Sequence, residues 1–275
     1  MHTHILFIAL WFVFACSASG EGPELDSSSL VGLTELDGRS AEFTSRAAID
    51  SGSVQYVFSW RELSSEWTQY NRIKNDLGYV LEFESALIGI NRVQLVPCKT
   101  ASSTRFWQDL SIVSLAYAGH DDGPPDPSAF SAGLVEEIGG GGVRETPVVE
   151  LETGTYCGVH VLYAETPEFA DGAEDEMVGL TVLLRGTWRP EWNDTKLDFE
   201  LKTTLGNGVM HLFEEEGVEP INLATDGVEI GVERSLLGLF NGMDFEVMNN
   251  KALSKVFLTN LVANTTIRTT RSPSE

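Results

Sequence analysis

Residues 156–164 read YCGVHVLYA, and the alternation of their side chains indicates the class of fold. Successive side chains of a β-strand point to opposite faces of the sheet, so every second residue shares a face. We therefore predict a strand whose core-facing side chains are Cys157, Val159, Val161 and Tyr163. The same alternation occurs at residues 81–84, which read LEFE.

Runs of similar length and composition follow one another along the chain, separated by turn residues. The predicted strands cover residues 53–60, 79–84, 86–97, 107–118, 147–151, 156–164, 177–186, 197–203, 208–213 and 228–232. Many short strands at this spacing are typical of a β-sandwich or a barrel, and we predict a mainly β fold organised as an antiparallel β-sandwich.

Two helices are predicted to interrupt the strands. The first covers residues 61–75, where three large side chains recur at helical spacing: Leu63, Trp67 and Tyr70. The second lies near the C-terminus and follows Asn249 or Asn250, either of which would cap it. Its stripe is predicted to pack on the sheet and consists of Leu253, Val256, Phe257, Asn260 and Leu261.

The charge of the chain restricts its partners. Acidic residues number 41 against 18 basic ones, which gives a formal net charge of −23. Nucleic acids and anionic lipids are bound through clusters of Lys and Arg, so a surface of this sign repels them and attracts cations or basic partners. We therefore expect no nucleic-acid partner.

The N-terminus has the pattern of an export signal. Residues 5–15 form an apolar run that is too short to span a bilayer as a helix. The run ends at Cys16, and this ending resembles the lipobox of bacterial lipoproteins, which implies an acylated Cys16 as the mature N-terminus. The alternative is an ordinary secretory signal that is cleaved near Ala18.

The lipobox interpretation sets the expected location and boundaries. Residues 1–15 are the signal peptide, 16–45 the acylated Cys and a flexible tether, 46–268 a single β-sandwich domain, and 269–275 a disordered tail. Ser17 follows the anchor where Asp would retain such a lipoprotein in the inner membrane. We expect a cell-envelope protein, anchored to the outer membrane and facing the periplasm or the exterior.

The other two cysteines, Cys98 and Cys157, are predicted to form a disulfide, because the periplasm and the cell exterior are oxidising. Closing that loop would stabilise the fold by about 4 kcal/mol in the chain-entropy model. A buried pair of free thiols is the alternative.

The residues offer few means of catalysis. The sequence contains no GxSxG, HExxH or P-loop motif, and no GxGxxG between a strand and a helix. Only three histidines follow the signal, namely His120, His160 and His211. We expect a binding protein rather than an enzyme.

A transition-metal site is one candidate. His120 is followed by Asp121 and Asp122 in a long loop, and His160 lies three residues after Cys157. Imidazole suits copper or zinc, and carboxylates would complete the ligand shell. The alternative places His120 in solvent and His160 within the sheet, with its hydrogen bonds satisfied.

A pair of tryptophans offers a different kind of site. Trp188 and Trp192 flank a proline in the sequence WRPEW, a composition suited to stacking on a sugar or a peptide. The alternative is that both rings pack at the edge of the sandwich.

Several short motifs resemble uncharacterised families of bacterial exported lipoproteins. They are NDLGY at residues 75–79, VQLVPC at 93–98, AYAGH at 116–120, GTYC at 154–157, MVG at 177–179 and FNGMDF at 240–245. The resemblance covers most of the mature chain, implies a β-sandwich lipoprotein and assigns no activity. A more distant likeness, in architecture, is to periplasmic copper-binding proteins of the MbnP type, although Tyr117 stands where their first metal-binding His would be.

Two functions follow from these observations. The first is an exported, lipid-anchored protein that binds a transition metal through His120, His160 and Asp121 or Asp122. The second is a structural or interaction lipoprotein without metal, which contacts another envelope protein or a glycan through Trp188 and Trp192.

Overall fold

The structure is a computed structural model that describes residues 49–50, 52–61, 67, 71–98, 129–130, 133–140, 142–213, 217 and 219–273. These residues belong to one compact unit, Ala47–Glu275. In chain order the strands are β1 (Ser53–Arg61), β2 (Arg72–Lys74), β3 (Tyr79–Ile90), β4 (Arg92–Pro97), β5 (Ala129–Phe130), β6 (Leu134–Glu137), β7 (Arg144–Glu145), β8 (Val149–Glu150), β9 (Thr155–Tyr163), β10 (Val182–Pro190), β11 (Leu197–Thr203), β12 (Asn207–Leu212), β13 (Ile221–Asn222), β14 (Asp226–Ser235) and β15 (Thr265–Pro273). The helix α1 is Asn250–Ala263.

The strands form three sheets of five. Sheet A has the order β15-β14-β1-β7, with β8 also paired to β1. Sheet B has the order β11-β10-β3-β2, with β6 also on β3, and sheet C has the order β12-β9-β4-β5, with β13 also on β9. All of these pairs are antiparallel except that of β1 with β14. The predicted mainly β fold with antiparallel sheets is confirmed.

Strand β9 lies at the centre of sheet C, between β4 and β12. Its predicted core face is confirmed, because Val159, Val161 and Tyr163 are fully buried. Its other face is covered as well, since His160 and Leu162 are also buried. Covered faces on both sides explain why this strand reads as an almost continuous apolar run.

Helix α1 confirms the second helix prediction. Asn249 is the N-cap, and its side chain accepts a hydrogen bond of 3.0 Å from the backbone of Ala252. The helix contacts β11 and β12. Its buried residues are Leu253, Ser254, Phe257, Leu258 and Leu261, so three members of the predicted stripe are buried, whereas Val256 and Asn260 are only half-buried.

The first helix prediction is wrong at both ends. Arg61 is the last residue of β1, and β2 occupies Arg72–Lys74. Between them only Trp67 and Asn71 are described; the backbone N–H of Asn71 donates to the Trp67 carbonyl at 2.8 Å. Asn71 has a φ of 48°, a left-handed conformation that ends a helix.

Other boundaries differ in detail. The strand predicted from residue 177 begins only at Val182, because Met177 lies in turns where it donates to the Glu174 carbonyl and accepts from Leu180. Strand β15 reaches Pro273, so residues 269–273 pair with β14 and do not belong to a tail. The predicted strand 107–118 lies outside the described residues.

A buried ion pair connects sheets A and B. Arg234 of β14 is fully buried and pairs with Glu136 of β6. Its guanidinium lies 4.7 Å from the ring centroid of Trp60 and 5.6 Å from that of Phe58. A charge in this position is tolerated because it has an opposite charge and aromatic faces around it.

Candidate binding site

One end of sheet B carries three turns that meet each other. The first joins β2 to β3, the second joins β10 to β11, and the third precedes α1. Two of the segments that resemble lipoprotein motifs, residues 75–79 and 240–245, lie in the first and third turns.

Asn75 joins the first turn to the third. Its amide donates to the carbonyls of Phe240 at 3.3 Å and Met243 at 2.9 Å. Its Oδ1 accepts from the backbone N–H groups of Leu77 at 3.1 Å and Tyr79 at 3.0 Å. Two donors and two acceptor positions are all that an Asn side chain has, so this buried amide is fully satisfied.

Two carboxylates strengthen the same junction. Asp76 Oδ1 accepts from the backbone N–H of Gly242 at 2.7 Å, and Asp244 Oδ1 accepts from the hydroxyl of Tyr79 at 2.9 Å. Burial and the bond to Asp244 raise the pKa of Tyr79 to about 12, so its hydroxyl remains a donor at neutral pH. We call residues 75–79 and 240–245, joined in this way, the clasp.

The two tryptophans of the WRPEW segment have different environments. Trp188 is only 8% exposed and packs edge-on against Tyr79 and stacked on Phe245, with ring centroids 5.3 Å and 5.7 Å away. The prediction that Trp188 is an exposed stacking residue is therefore wrong, because alternation along β10 directs it into the core. Trp192 lies beyond the end of β10 and is 72% exposed.

Trp192 packs against the clasp. The centroid of its indole ring is 6.5 Å from the centroid of the Tyr79 ring. A Cβ atom on Gly78 would lie 3.5 Å from Cζ3 of Trp192, so the indole lies directly beside this glycine. Gly78 has a φ of 81° and its carbonyl accepts from the backbone N–H of Glu191 at 2.9 Å, which fixes the second turn on the first.

We define the Trp192 surface as residues 74–79, 189–198 and 242–247. These segments carry six carboxylates against three cations. Each cation already has a carboxylate partner. Lys74 Nζ lies 2.6 Å from Glu191 Oε2, and Arg189 Nη1 lies 3.8 Å from Asp194 Oδ1. Lys196 pairs with Glu82 of β3. The remaining carboxylates are those of Asp76, Asp198, Asp244 and Glu246. Among these four, Asp76 and Asp244 accept hydrogen bonds within the clasp.

Of the predicted metal ligands, only His160 lies in the part of the chain that the structure describes. His160 lies in the middle of β9, opposite Gln94 and Met210 in the register. Burial, together with the charge of Arg92, lowers its pKa to about 4, so the ring is neutral at pH 7. His120, Asp121 and Asp122 lie outside the described residues, and no group of three or more metal-ligating side chains occurs in the described part of the chain.

The predicted disulfide is confirmed. Cys98 and Cys157 are bonded, with Cα atoms 4.7 Å apart, and the bond joins the end of β4 to β9. Cys16 lies outside the described residues. Within the part of the chain that the structure covers, no helix has the length and apolarity needed to cross a membrane.

Comparison of this chain with protein-family models, with curated proteins and with solved structures gives no match. The site is therefore interpreted from its own geometry. The composition of the WRPEW segment indicated Trp192, and both halves of the clasp belong to segments that resemble exported lipoproteins. No signal in the sequence showed that these halves meet, or that Asn75, Tyr79 and Asp244 join them.

Proposed function

We propose that this chain is an interaction protein of the cell envelope, which binds a partner through the Trp192 surface. The observation that carries the proposal is the 72% exposure of Trp192 on a turn that the clasp holds in place. A single exposed apolar side chain is ordinary in a folded protein. This one is a large, rigid ring whose supporting backbone is fixed by several hydrogen bonds, and Trp is the residue type most enriched at binding hot spots.

Neighbouring side chains extend the apolar area. Leu77 and Leu197 are partly exposed, and Val247 is largely exposed, each on one of the segments that form the Trp192 surface. An aromatic anchor with smaller apolar neighbours and a charged border is the usual composition of a protein interface. The hydrogen-bonded clasp reduces the ordering cost of binding, because the turns are already fixed before the partner arrives.

The envelope location rests on the N-terminal pattern and on the disulfide. A Cys98–Cys157 bond fits an oxidising compartment, as the signal sequence requires. In this proposal Cys16 is acylated and anchors the domain to the outer membrane through the segment that precedes residue 46.

The metal-binding alternative has less support. His160 is buried within a sheet, and Arg92 lies diagonal to it on the neighbouring strand, so a cation at His160 would be repelled. A Cβ atom on Gly208 of β12 would lie only 2.8 Å from Nε2 of His160, so the adjacent strand closely covers this nitrogen.

Affinity capture from detergent-solubilised envelope tests the proposal. The full chain, Trp192→Ala and Phe169→Ala are immobilised and the captured proteins are compared by quantitative mass spectrometry. Phe169 is the matched control, because it is 74% exposed and lies near the opposite end of sheet B. We expect a partner that wild type and Phe169→Ala retain and that Trp192→Ala loses. Identical capture by all three proteins would refute the role of the Trp192 surface.

The anchor has a separate test. Intact-mass and N-terminal peptide analysis of the native protein should find an acylated Cys16 as the first residue. Cys16→Ser should move the protein from the membrane fraction to the soluble fraction. A mature N-terminus after Ala18, without acyl groups, would contradict lipid anchoring and leave the Trp192 proposal intact.

A further inference from the structure

We infer that the partner presents a basic segment to the Trp192 surface, with a Lys or Arg side chain over the indole ring and its charge between the surrounding carboxylates. This inference rests on the proposed function and specifies the chemistry of the partner. The inference depends on the exposed indole ring of Trp192 and on the charged residues around that ring.

The first argument is the local charge balance. Six carboxylates and three cations leave the Trp192 surface with a net charge of −3. All three cations are paired with carboxylates of this protein, so none is available to attract an acidic partner. Asp198 and Glu246 are both exposed.

The second argument is the position of these carboxylates relative to the ring. Asp198 lies opposite Thr187 in the register of β10 and β11, next to the pair Trp188 and Leu197. The backbone N–H of Glu246 donates to the same Asp244 oxygen that accepts from Tyr79, at 3.0 Å. Tyr79 is the ring on which Trp192 leans. Glu246 therefore lies at the border of the indole, whereas Asp198 shares the face of Thr187, which alternation directs away from Trp188 and Tyr79.

The third argument is the chemistry of an exposed indole. Trp offers the strongest aromatic face for a cation, and carboxylates nearby complete the recognition of an ammonium or guanidinium group. A neutral saccharide would also stack on the ring, but it would gain nothing from an excess of negative charge. An acidic protein partner would be repelled.

The charge of the whole molecule acts in the same direction. A net charge of −23 accelerates the encounter with a basic partner and slows it with an acidic one. This long-range attraction is not specific to one surface, so a test must separate it from binding at Trp192.

Octalysine, octaglutamate and chitohexaose are the probes, each titrated into the full chain and followed by a labelled-probe binding assay. We expect octalysine to bind and octaglutamate to show no binding. Trp192→Ala should weaken octalysine binding by about fivefold to tenfold, the range of a partly desolvated cation–π contact. Phe169→Ala should leave it unchanged.

Charge variants give the matched electrostatic comparison. Glu246→Gln should weaken octalysine binding by roughly twofold to fivefold, whereas Glu168→Gln removes one charge elsewhere and should have a much smaller effect. Raising the salt from about 0.05 M to about 0.5 M should weaken binding in wild type and reduce the difference between the two variants.

The outcomes separate the inference from the proposed function. Equal octalysine affinity in wild type and Trp192→Ala would overturn the basic-segment inference, because attraction would then be non-specific. Chitohexaose binding that depends on Trp192 would also overturn it, in favour of a saccharide ligand, while the Trp192 surface would remain the binding site. If the envelope capture described above also shows no dependence on Trp192, the proposed function itself fails.

Discussion

Asn75 uses every hydrogen-bonding position of its side-chain amide, and its partners lie up to 168 residues away in the chain. Few other side chains could replace it at this position. No other side chain of similar size has two donors and two acceptors in this arrangement, since Asp lacks the donors and Leu lacks both.

We expect Asn75→Ala to lower the free energy of unfolding by about 3 kcal/mol, because four backbone groups lose a buried partner. Asn193→Ala is the control, since Asn193 is exposed and accepts one local bond from Thr195. It should cost less than about 1 kcal/mol. Urea unfolding of both variants measures the difference. Near-equal losses would show that the clasp contributes little to stability.

His160 gives the second prediction at the scale of single residues. Its pKa is lowered from 6.5 to about 4 in the folded protein, so between these pH values the unfolded chain binds more protons than the native state. Stability is therefore retained above pH 6.5 and decreases as the pH falls towards 4, by up to about 3 kcal/mol from this residue.

Unfolding free energies at pH 7 and pH 4.5 for wild type and His160→Gln isolate this contribution. The decrease between the two pH values should be smaller in His160→Gln than in wild type. The same decrease in both proteins would assign the acid sensitivity to other groups.

At the scale of elements, the sheet edges and turns decide where the site forms. Trp188 and Trp192 are four residues apart, yet one faces the core from β10 and the other lies in the turn after it. Alternation predicts which face of the sheet a side chain occupies, but it applies only as far as the strand extends. The sequence alone left that boundary open, and it therefore assigned both rings to the same surface.

The disulfide acts between elements. It joins β4 and β9, which are already paired, and it closes a loop of sequence separation 59. Replacing both Cys98 and Cys157 by Ala should lower the free energy of unfolding by about 4 kcal/mol, mainly by releasing entropy in the unfolded chain. Thermal and urea unfolding of the double variant measure this. A loss below about 1 kcal/mol would mean that the unfolded chain is compact without the bond.

At the scale of the whole molecule, Arg234 and Glu136 connect two sheets through a buried charge pair. Removal of one partner leaves the other charge buried without compensation, which costs about 3 to 5 kcal/mol, whereas removal of both is much less costly. We expect Glu136→Leu to be strongly destabilising. Arg234→Met combined with Glu136→Leu should be more stable than Glu136→Leu alone, in a double-mutant cycle of urea unfolding. Additive losses would contradict coupling across the sheets.

The mainly β fold, the core face of β9, the presence of α1 with its buried Leu253, Phe257 and Leu261, and the Cys98–Cys157 disulfide could be read from the chain before folding. The first three follow from local periodicity, and the disulfide follows from the number of cysteines. The folded structure was needed to show that Trp188 is buried while Trp192 is exposed, that residues 72–74 form β2 and not a helix, that Asn249 caps α1, and that Asn75 joins turns 165 residues apart. The physical reason is that these outcomes depend on which surfaces cover one another after the sheets pack, and contacts between distant segments leave no periodic signal in the chain.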